Sequence, residues 1–397
     1  MTLVVVGASL AGLRAVEAAR QAGFTGRIVL IGAEEHLPYD RPPLSKAFLE
    51  DAEPTVPTYR TGQALREDLG VELMLGTAAT GLDVAGRAVL VGGQAVRYDG
   101  LVLATGAAAR KSPLPGVRTL RTLDDAIAVR EALDAGARTV VIGAGFIGSE
   151  IASGARARGL DVTVVEALPT PLVRAVGAQM GEICADLHRR NGTGLRCGVQ
   201  VTSFDEGRVT LSDGVVLPAD LVVAGVGAVP ATGWLEGSGL TLDDGVVCDE
   251  TLRAGPGIYA AGDVARWHNP AFGRSMRLEH WTSAAEQARV AARNAIDPAG
   301  AAVCRVVPYF WSDWYGDRIQ FAGVPAADEV RVVDDGPGRL VALYREGGRL
   351  AGALTLNGRA KVMKYRGLIQ RGASWAEGLA FAAAGKNVNV DKGGVPV

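Results

Sequence analysis

The sequence is short of cysteine, of net charge and of long apolar runs, and each shortage removes a class of function. Only four cysteines occur: Cys184, Cys197, Cys248 and Cys304. No two stand at a C-x-x-C or C-x-x-x-x-C spacing, which argues against a zinc knuckle and a dithiol redox centre. Scattered in this way they read as reduced thiols, and so as those of a cytoplasmic protein. Lys plus Arg (41) nearly balance Asp plus Glu (43), for a formal net charge of −2. The global basic field that would hold nucleic acid is therefore missing. His36, His188 and His268 have no neighbouring ligands, so no metal site is expected. Apolar runs such as 101–104 and 221–224 are far too short to span a bilayer. The N-terminus opens on apolar residues without a basic stretch and reads as a first strand rather than a signal peptide.

What the chain does have is length, at 397 residues, and glycine, at 53. Two or three α/β domains with many tight turns are the expectation. Residues 3–6 form an apolar run rich in valine, followed by Gly7-Ala8-Ser9-Leu10-Ala11-Gly12, a helical pattern to about 22 and a second strand at 28–31. This is the opening of a dinucleotide-binding unit. The grammar returns at 139–142, with the turn Gly143-Ala144-Gly145-Phe146-Ile147-Gly148, a helix to about 158 and a strand ending on Glu166. Two such units mean two nucleotides.

The second fingerprint is complete. Gly143 makes the tight turn, Gly145 leaves room for a pyrophosphate and Gly148 lets helix and strand pack closely. Phosphates would rest on the free N–H groups of the helix N-terminus. Glu166 is placed to accept from both ribose hydroxyls, and no arginine directly follows it to receive a 2′-phosphate, which favours NADH over NADPH. In the first fingerprint Ser9 replaces the middle glycine, and its hydroxyl can donate to a phosphate oxygen; Glu34 is the partner acid. The strands 101–106 and 221–227 end in glycines, Gly106 and Gly227. A third such strand closes on Ala261-Gly262-Asp263, an acceptor suited to the ribityl and phosphate part of FAD. FAD in one domain and a nicotinamide in the other follow. From about 325 the pattern turns to alternating strands (329–333, 339–345, 350–356) and then a helical stretch at 359–369, a small α+β domain. The last residues, 385–397, read as a tail.

The segments Pro38-Tyr39-Asp40-Arg41-Pro42-Pro43-Leu44-Ser45-Lys46, Ala104-Thr105-Gly106-Ala107 and Leu120-Arg121-Thr122-Leu123-Asp124-Asp125 add a further signature. With them stand Gly145-Phe146-Ile147-Gly148-Ser149-Glu150, Ala260-Ala261-Gly262-Asp263-Val264-Ala265 and Glu279-His280-Trp281. In order and spacing the chain resembles the ferredoxin, putidaredoxin and rubredoxin reductases, flavoproteins of cytochrome P450 and ring-hydroxylating oxygenase systems. The resemblance implies an α/β fold with two Rossmann-like nucleotide-binding domains, glutathione-reductase-like, plus a small α+β C-terminal domain. Residues 1–110 and 235–322 would be the two parts of the FAD domain, 111–234 the NAD domain and 323–397 the C-terminal domain. It implies hydride transfer from NADH to FAD, then one-electron transfers to a small iron–sulfur protein, a 2Fe–2S ferredoxin or a rubredoxin.

By the same resemblance Lys46 lies near the flavin and pairs with Glu150, and Trp281 stands beside the isoalloxazine ring. Arg41, Arg110 and Arg121 surround FAD, and Asp263 bonds its ribityl or phosphate part. The cofactor-binding set is completed by Gly7, Ser9, Leu10, Ala11, Gly12, Glu34, Ala104, Thr105, Gly106, Gly227, Gly262, Glu279, His280 and Trp311, with Gly143, Gly145, Phe146, Ile147, Gly148 and Glu166 on the nicotinamide side. Phe146 is either a gate or an ordinary core aromatic. Trp281, Trp311 and Trp314 are either a stack at the flavin edge or a packed junction. His280 reads as structural, because direct hydride transfer needs no acid–base group. Three positions depart from the pattern: Trp314 after Asp313 where glutamine is usual, Ala288 after Gln287 where glycine is usual, and Ala231 after Pro230 where asparagine is usual.

Disulfide reductases need a cysteine near the flavin, and 42–46 has none. Rubredoxin reduction, an NADH oxidase and an NADH-sensing flavoprotein stay open, as does the choice between monomer and homodimer. A basic docking patch could come from Arg289, Arg293, Arg359, Lys361, Lys364, Arg366 and Arg371. With Glu166 facing the adenosine ribose, NADH should reduce the purified protein faster than NADPH by about tenfold or more, the equivalent of one repelled or unpaired charge. Anaerobic stopped-flow mixing with each nucleotide checks this, and equal rates would contradict it.

Overall fold

The computed structural model describes residues 1–387, and residues 388–397 of the expected tail lie outside the described residues. Two compact units are present. The first takes Met1–Lys111, Thr119–Arg130 and Val226–Val306; the second takes Ser112–Arg118, Glu131–Gly225 and the residues from Val307 on.

In the first unit a six-stranded sheet has Thr2–Val6 near its centre, between Arg27–Ile31 and Gly100–Leu103. Val71–Met74 extends one side, and Ile258–Ala260 with the short antiparallel Arg253–Gly255 the other. Parallel strands buried on both faces must be apolar throughout, and Leu3, Val4, Val5, Leu101, Val102 and Leu103 are fully buried. The helix Leu10–Gln21 shares its core with the helix Trp281–Ile296, alanines of both (Ala15, Ala18, Ala19, Ala288, Ala291, Ala292) being almost completely covered. Ala288, one of the three departures, fits this small-residue face.

In the second unit the parallel sheet runs Gly194–Cys197, Val162–Glu166, Thr139–Ile142, Leu221–Ala224. The unit also holds a five-stranded antiparallel sheet, Tyr309–Trp314, Asp317–Gly323, Arg349–Leu356, Arg339–Glu346 and Glu329–Gly336, with the helices Arg359–Gln370 and Trp375–Asn387 following it. The strands at 329–356 fall where the alternation placed them. Two more, Tyr309–Trp314 and Asp317–Gly323, belong to the same sheet although the sequence reading assigned 309–322 to the end of the FAD domain. Their aromatic and small residues show no clean alternation. The turn between them is the clearer signal: Tyr315 (φ 55) and Gly316 (φ 85) are both left-handed, the geometry of a two-residue hairpin. One face of this sheet packs on the helix Ala178–Arg190, with Met180, Cys184 and Leu187 against Trp314, Phe321, Tyr344 and Leu354. That shared core joins the sheet and the NAD-type fold into a single unit.

Two glycines test the two uses of the residue. A Cβ at Gly12 would sit 1.8 Å from the Gly7 carbonyl oxygen, whereas one at Gly316 meets nothing within 4 Å. Gly12→Ala should therefore yield little folded protein. Gly316→Ala should stay folded and lose about 1–2 kcal/mol, the cost of a left-handed residue with a side chain. Soluble yield and thermal unfolding measure both, and equal tolerance at the two positions would refute the assignment.

Candidate functional site

In the first unit the strand Thr2–Val6 delivers Gly7 at φ 117 into the turn, and a Cβ there would lie 2.1 Å from the Ala104 oxygen. Helix Leu10–Gln21 starts at Ser9, whose side chain makes no capping bond, so its first N–H groups face outward uncapped. Leu10 and Ala11 are buried in its first turn. A cavity of about 250 Å³ opens at this end, lined by Gly7, Ser9, Glu34, Arg41, Ala104 and Thr105 among others. This volume is at the low end for ligand pockets and suits one end of a long dinucleotide.

Both oxygens of Glu34 accept a bond from the protein, and each keeps a second lone pair. Its Oε1 accepts from Arg41 Nη2 at 2.6 Å and its Oε2 from the Tyr39 hydroxyl at 2.6 Å. Arg41 also donates to the Arg121 carbonyl (2.6 Å) and through Nε to Ser9 Oγ (3.3 Å), and lies over the Tyr39 ring. Because Arg41 uses a lone pair of Ser9, the serine proton stays available for a phosphate oxygen. Burial and the Glu34 carboxylate push the Tyr39 hydroxyl well up, with Arg41 opposing, so it stays a neutral donor. Arg121 donates to Asp263 Oδ2 at 2.8 Å, while Arg121 and Thr122 N–H groups cap onto Asp125 (2.9 and 3.0 Å). Arg110 N–H donates to the Gly227 carbonyl at 2.9 Å, and the Ala231 carbonyl accepts from Thr105 Oγ1 at 3.0 Å. Gly106 and Gly262 both have positive φ, and Gly262 N–H donates to the buried Gln287 side chain at 2.8 Å. These bonds join segments far apart in the chain, and of the residues they join, Ser9, Glu34, Tyr39, Arg41, Thr105 and Ala231 line the cavity.

Lys46 follows a single turn of 3-10 helix, Pro42–Ser45, and its Nζ donates to the Pro42 carbonyl at 3.2 Å. Trp281 opens the helix Trp281–Ile296 after His280, whose imidazole burial pushes down to about 4. That imidazole is neutral at working pH, in keeping with a structural role. Glu279 accepts from Arg277 at 2.8 Å. The Trp281 indole N–H donates to Asp40 Oδ1 at 2.8 Å and lies 3.1 Å from the Tyr59 hydroxyl, which itself donates to Asp40 at 2.6 Å. Sequence reading named Asp40 only as part of a motif and missed Tyr59, which carries no local signal.

In the second unit Gly143 turns at φ 98, and a Cβ at Gly148 would come within 2.2 Å of its oxygen. At Gly145 the nearest atom to such a Cβ is the Gly225 oxygen at 3.5 Å, so the fold itself does not demand glycine there. Glu166 binds the protein's own backbone, Oε2 accepting from Ala144 N–H (2.7 Å) and Oε1 from Leu168 N–H (2.8 Å). Each oxygen keeps a second lone pair for a hydroxyl. Phe146 packs on Phe310 with centroids 4.6 Å apart, and Ile147 beside it is 38% exposed. Glu150 is buried and accepts from the Ser312 hydroxyl.

The indole grouping needs correction. Trp314 is fully buried under His188, in the core with Phe321 and Tyr344, and stands at no exposed edge. Alternation along a strand explains it: Ser312 and Trp314 share one face of Tyr309–Trp314, while Trp311 points to the other and stacks on Tyr309 at 6.1 Å. Of the basic candidates, Lys361 pairs with Asp334, Arg371 with Glu377, and Arg366 donates to the Val307 carbonyl; Arg289, Arg293, Arg359 and Lys364 are exposed. Among the described residues no His, Cys, Asp or Glu group could hold a metal ion, and no helix is long and apolar enough to cross a membrane.

Comparison with known proteins places this geometry. The family described as pyridine nucleotide-disulphide oxidoreductase matches residues 1–288, and the reductase C-terminal family matches 309–384. Rhodocoxin reductase of Rhodococcus erythropolis is 39% identical over 350 residues, 84% of this chain and 80% of that one. Putidaredoxin reductase CamA of Pseudomonas putida is 36% identical over 342 residues, 81% of this chain and 80% of that one. The crystal structure of the covalent putidaredoxin reductase–putidaredoxin complex superposes with a TM-score of 0.89 at 30% identity, covering 98% of this chain and 99% of that one. Two glycine cradles, each closed by a strand-end carboxylate, and the matches along the chain lead to one conclusion: the chain belongs to the ferredoxin, putidaredoxin and rubredoxin reductase family of FAD-dependent pyridine nucleotide oxidoreductases.

Proposed function

We propose that the chain is an NADH-dependent ferredoxin reductase that delivers electrons singly to a small iron–sulfur protein, of the 2Fe–2S ferredoxin type, in an oxygenase system. The observation that carries this reading is the pair of separate glycine cradles, one per unit, each with its own anchored carboxylate. One cradle would serve a simple dehydrogenase; a second gives the electron pair somewhere to go within the protein. The printed names of the relatives, reductases of rhodocoxin and putidaredoxin, support the partner class. Free thiols, three of them buried and pushed up to about 12, support a reducing, cytoplasmic setting.

FAD, when bound, supplies the conversion of a two-electron input into single-electron outputs; the protein supplies binding, orientation and electrostatics. The first cradle fits it. The uncapped N–H groups after Ser9 would take a phosphate, Glu34 the ribose hydroxyls, and Asp263, held by Arg121, the ribityl or second phosphate. Gly143, Gly145 and Gly148 would seat the NADH pyrophosphate, with Glu166 on its ribose. Hydride transfer needs the reacting atoms at roughly 3–3.5 Å, so the residues work chiefly by placing rings. Trp281, fixed by Asp40 and Tyr59, would help to hold the FAD ring with its flat indole. Lys46, in the first unit, would help to order the flavin, and Glu150, in the second, would help to order the nicotinamide end of NADH.

Three outcomes are expected. Glu34→Ala should lose FAD during gel filtration, with affinity down by about tenfold or more for a charged acceptor removed; a wild-type ratio of flavin to protein absorbance would count against its ribose role. Lys46→Ala should slow hydride transfer in stopped-flow mixing with NADH, and an unchanged rate and NADH affinity would remove Lys46 from the mechanism. Cytochrome c reduction should depend strongly on an added iron–sulfur protein and fall as salt rises, while ferricyanide reduction changes little. Rapid oxygen consumption without any partner would instead identify an oxidase.

A further inference from the structure

Helix Phe146–Ala157 and strand Tyr309–Trp314 share a row of buried polar groups that nucleotide seating does not require. Glu150 is 2% exposed, and its Oε1 accepts from the hydroxyl of Ser312, which is wholly buried. The Trp314 indole Nε1–H donates to Ser312 Oγ at 2.7 Å, and Trp314 too is shut off from solvent. An indole N–H donates and never accepts. It therefore takes an acceptor site on Ser312 and sends the serine proton the other way, onto the carboxylate. The direction of the relay, Trp314 to Ser312 to Glu150, is set by chemistry. Glutamine at 314 would not set it, because an amide can present either its N–H or its oxygen to the serine.

The relay is held on its flank as well. His188 lies tilted over the Trp314 rings, centroids 5.0 Å apart, and its two nitrogens meet Tyr315 OH at 2.7 Å and Ser149 Oγ at 3.1 Å. Burial pushes that imidazole down to about 4, so it is a neutral hydrogen-bonding group at working pH. Tyr315 N–H donates to Ser153 Oγ at 2.8 Å. Three side chains of one helix, Ser149, Glu150 and Ser153, are thereby bonded to residues of the same unit more than thirty positions away, on a helix, a strand and the turn that follows it.

We propose that Ser312 and Trp314 are positioning residues for NADH oxidation, holding the Glu150 carboxylate in the single rotamer in which it orders the nicotinamide site. The proposal rests on the reading of Glu150 given above and adds the group that aims it. Hydrogen bonds to charged acceptors are strong, and in a buried site the loss of one weakens the hold on the carboxylate's direction.

The test is anaerobic stopped-flow reduction of the FAD-loaded protein by NADH, with flavin content and near-ultraviolet circular dichroism as checks on folding. Trp314→Phe, which keeps an aromatic ring, and Ser312→Ala should each lower the limiting reduction rate by about tenfold. The NADH dissociation constant should move much less. Ser312→Thr, which keeps the hydroxyl, should recover most of the rate. In a Glu150→Gln background Ser312→Ala should cost nothing more, since the group it aims is already gone. Should Trp314→Phe fail to fold, the Ser312 series decides. Wild-type rates in Ser312→Ala beside a slow Glu150→Gln would overturn the relay and leave the role of Glu150 standing. Equal losses from Ser312→Ala with and without Glu150 would also overturn it. A Glu150→Gln protein as fast as wild type would overturn the role of Glu150 itself, and the relay with it.

Discussion

At Gly7 a methyl group would sit 2.1 Å from the Ala104 carbonyl oxygen, and at Gly12 it would sit 1.8 Å from that of Gly7. The helix Leu10–Gln21 can approach the sheet only because no side chain stands in either place. That nearness sets its uncapped N–H groups over the carboxyl ends of the strands, where they are open to an acceptor. Gly143 and Gly148 repeat the contact in the second unit, at 2.2 Å. Gly145 is different. Its surroundings would admit a methyl, so packing within the fold does not explain the bare backbone there.

The strand-end carboxylates follow from the same geometry. Glu34 and Glu166 would be expected to point at solvent and wait for a ribose. Instead both are bound by the protein, Glu34 by Arg41 and Tyr39 and Glu166 by two backbone N–H groups. The one ion pair among these contacts, Arg41–Glu34, is partly exposed and adds little stability, about 0–1 kcal/mol. The effect of these contacts is orientation. A carboxylate already held in its binding direction gives up less freedom when a hydroxyl arrives. Arg41 and Arg121 extend the principle by joining residues 34, 121 and 263 in one chain of hydrogen bonds.

Aromatic groups divide by what holds their polar ends. Trp281 is pinned through its N–H to Asp40 and Tyr59, which fixes the direction of its ring. Trp314 spends its N–H inside the core, on a serine that serves Glu150. Trp311, between Ser312 and Phe310, turns to the opposite face. A sequence shows three indoles; the strand period separates two of them.

The two nucleotide units, the carboxylate that ends each second strand, the FAD and NADH chemistry and the strands at 329–356 were legible in the sequence. Glycine spacing and apolar runs are local signals, imposed by turn geometry and by burial on both faces of a parallel sheet. The hairpin strand Tyr309–Trp314 was less legible, because its residues do not alternate in polarity and its membership of the sheet is decided by pairing with Asp317–Gly323. The partners of side chains were not legible at all. Tyr59 reaches Asp40 and Trp281, and Ser312 reaches Glu150 from 162 residues along the chain. Sequence alone determined which backbone could approach which phosphate, since that depends on neighbours within a few residues. Only the tertiary structure decided which donor faces which acceptor, since hydrogen bonds act over about 3 Å of space and take no account of distance along the chain.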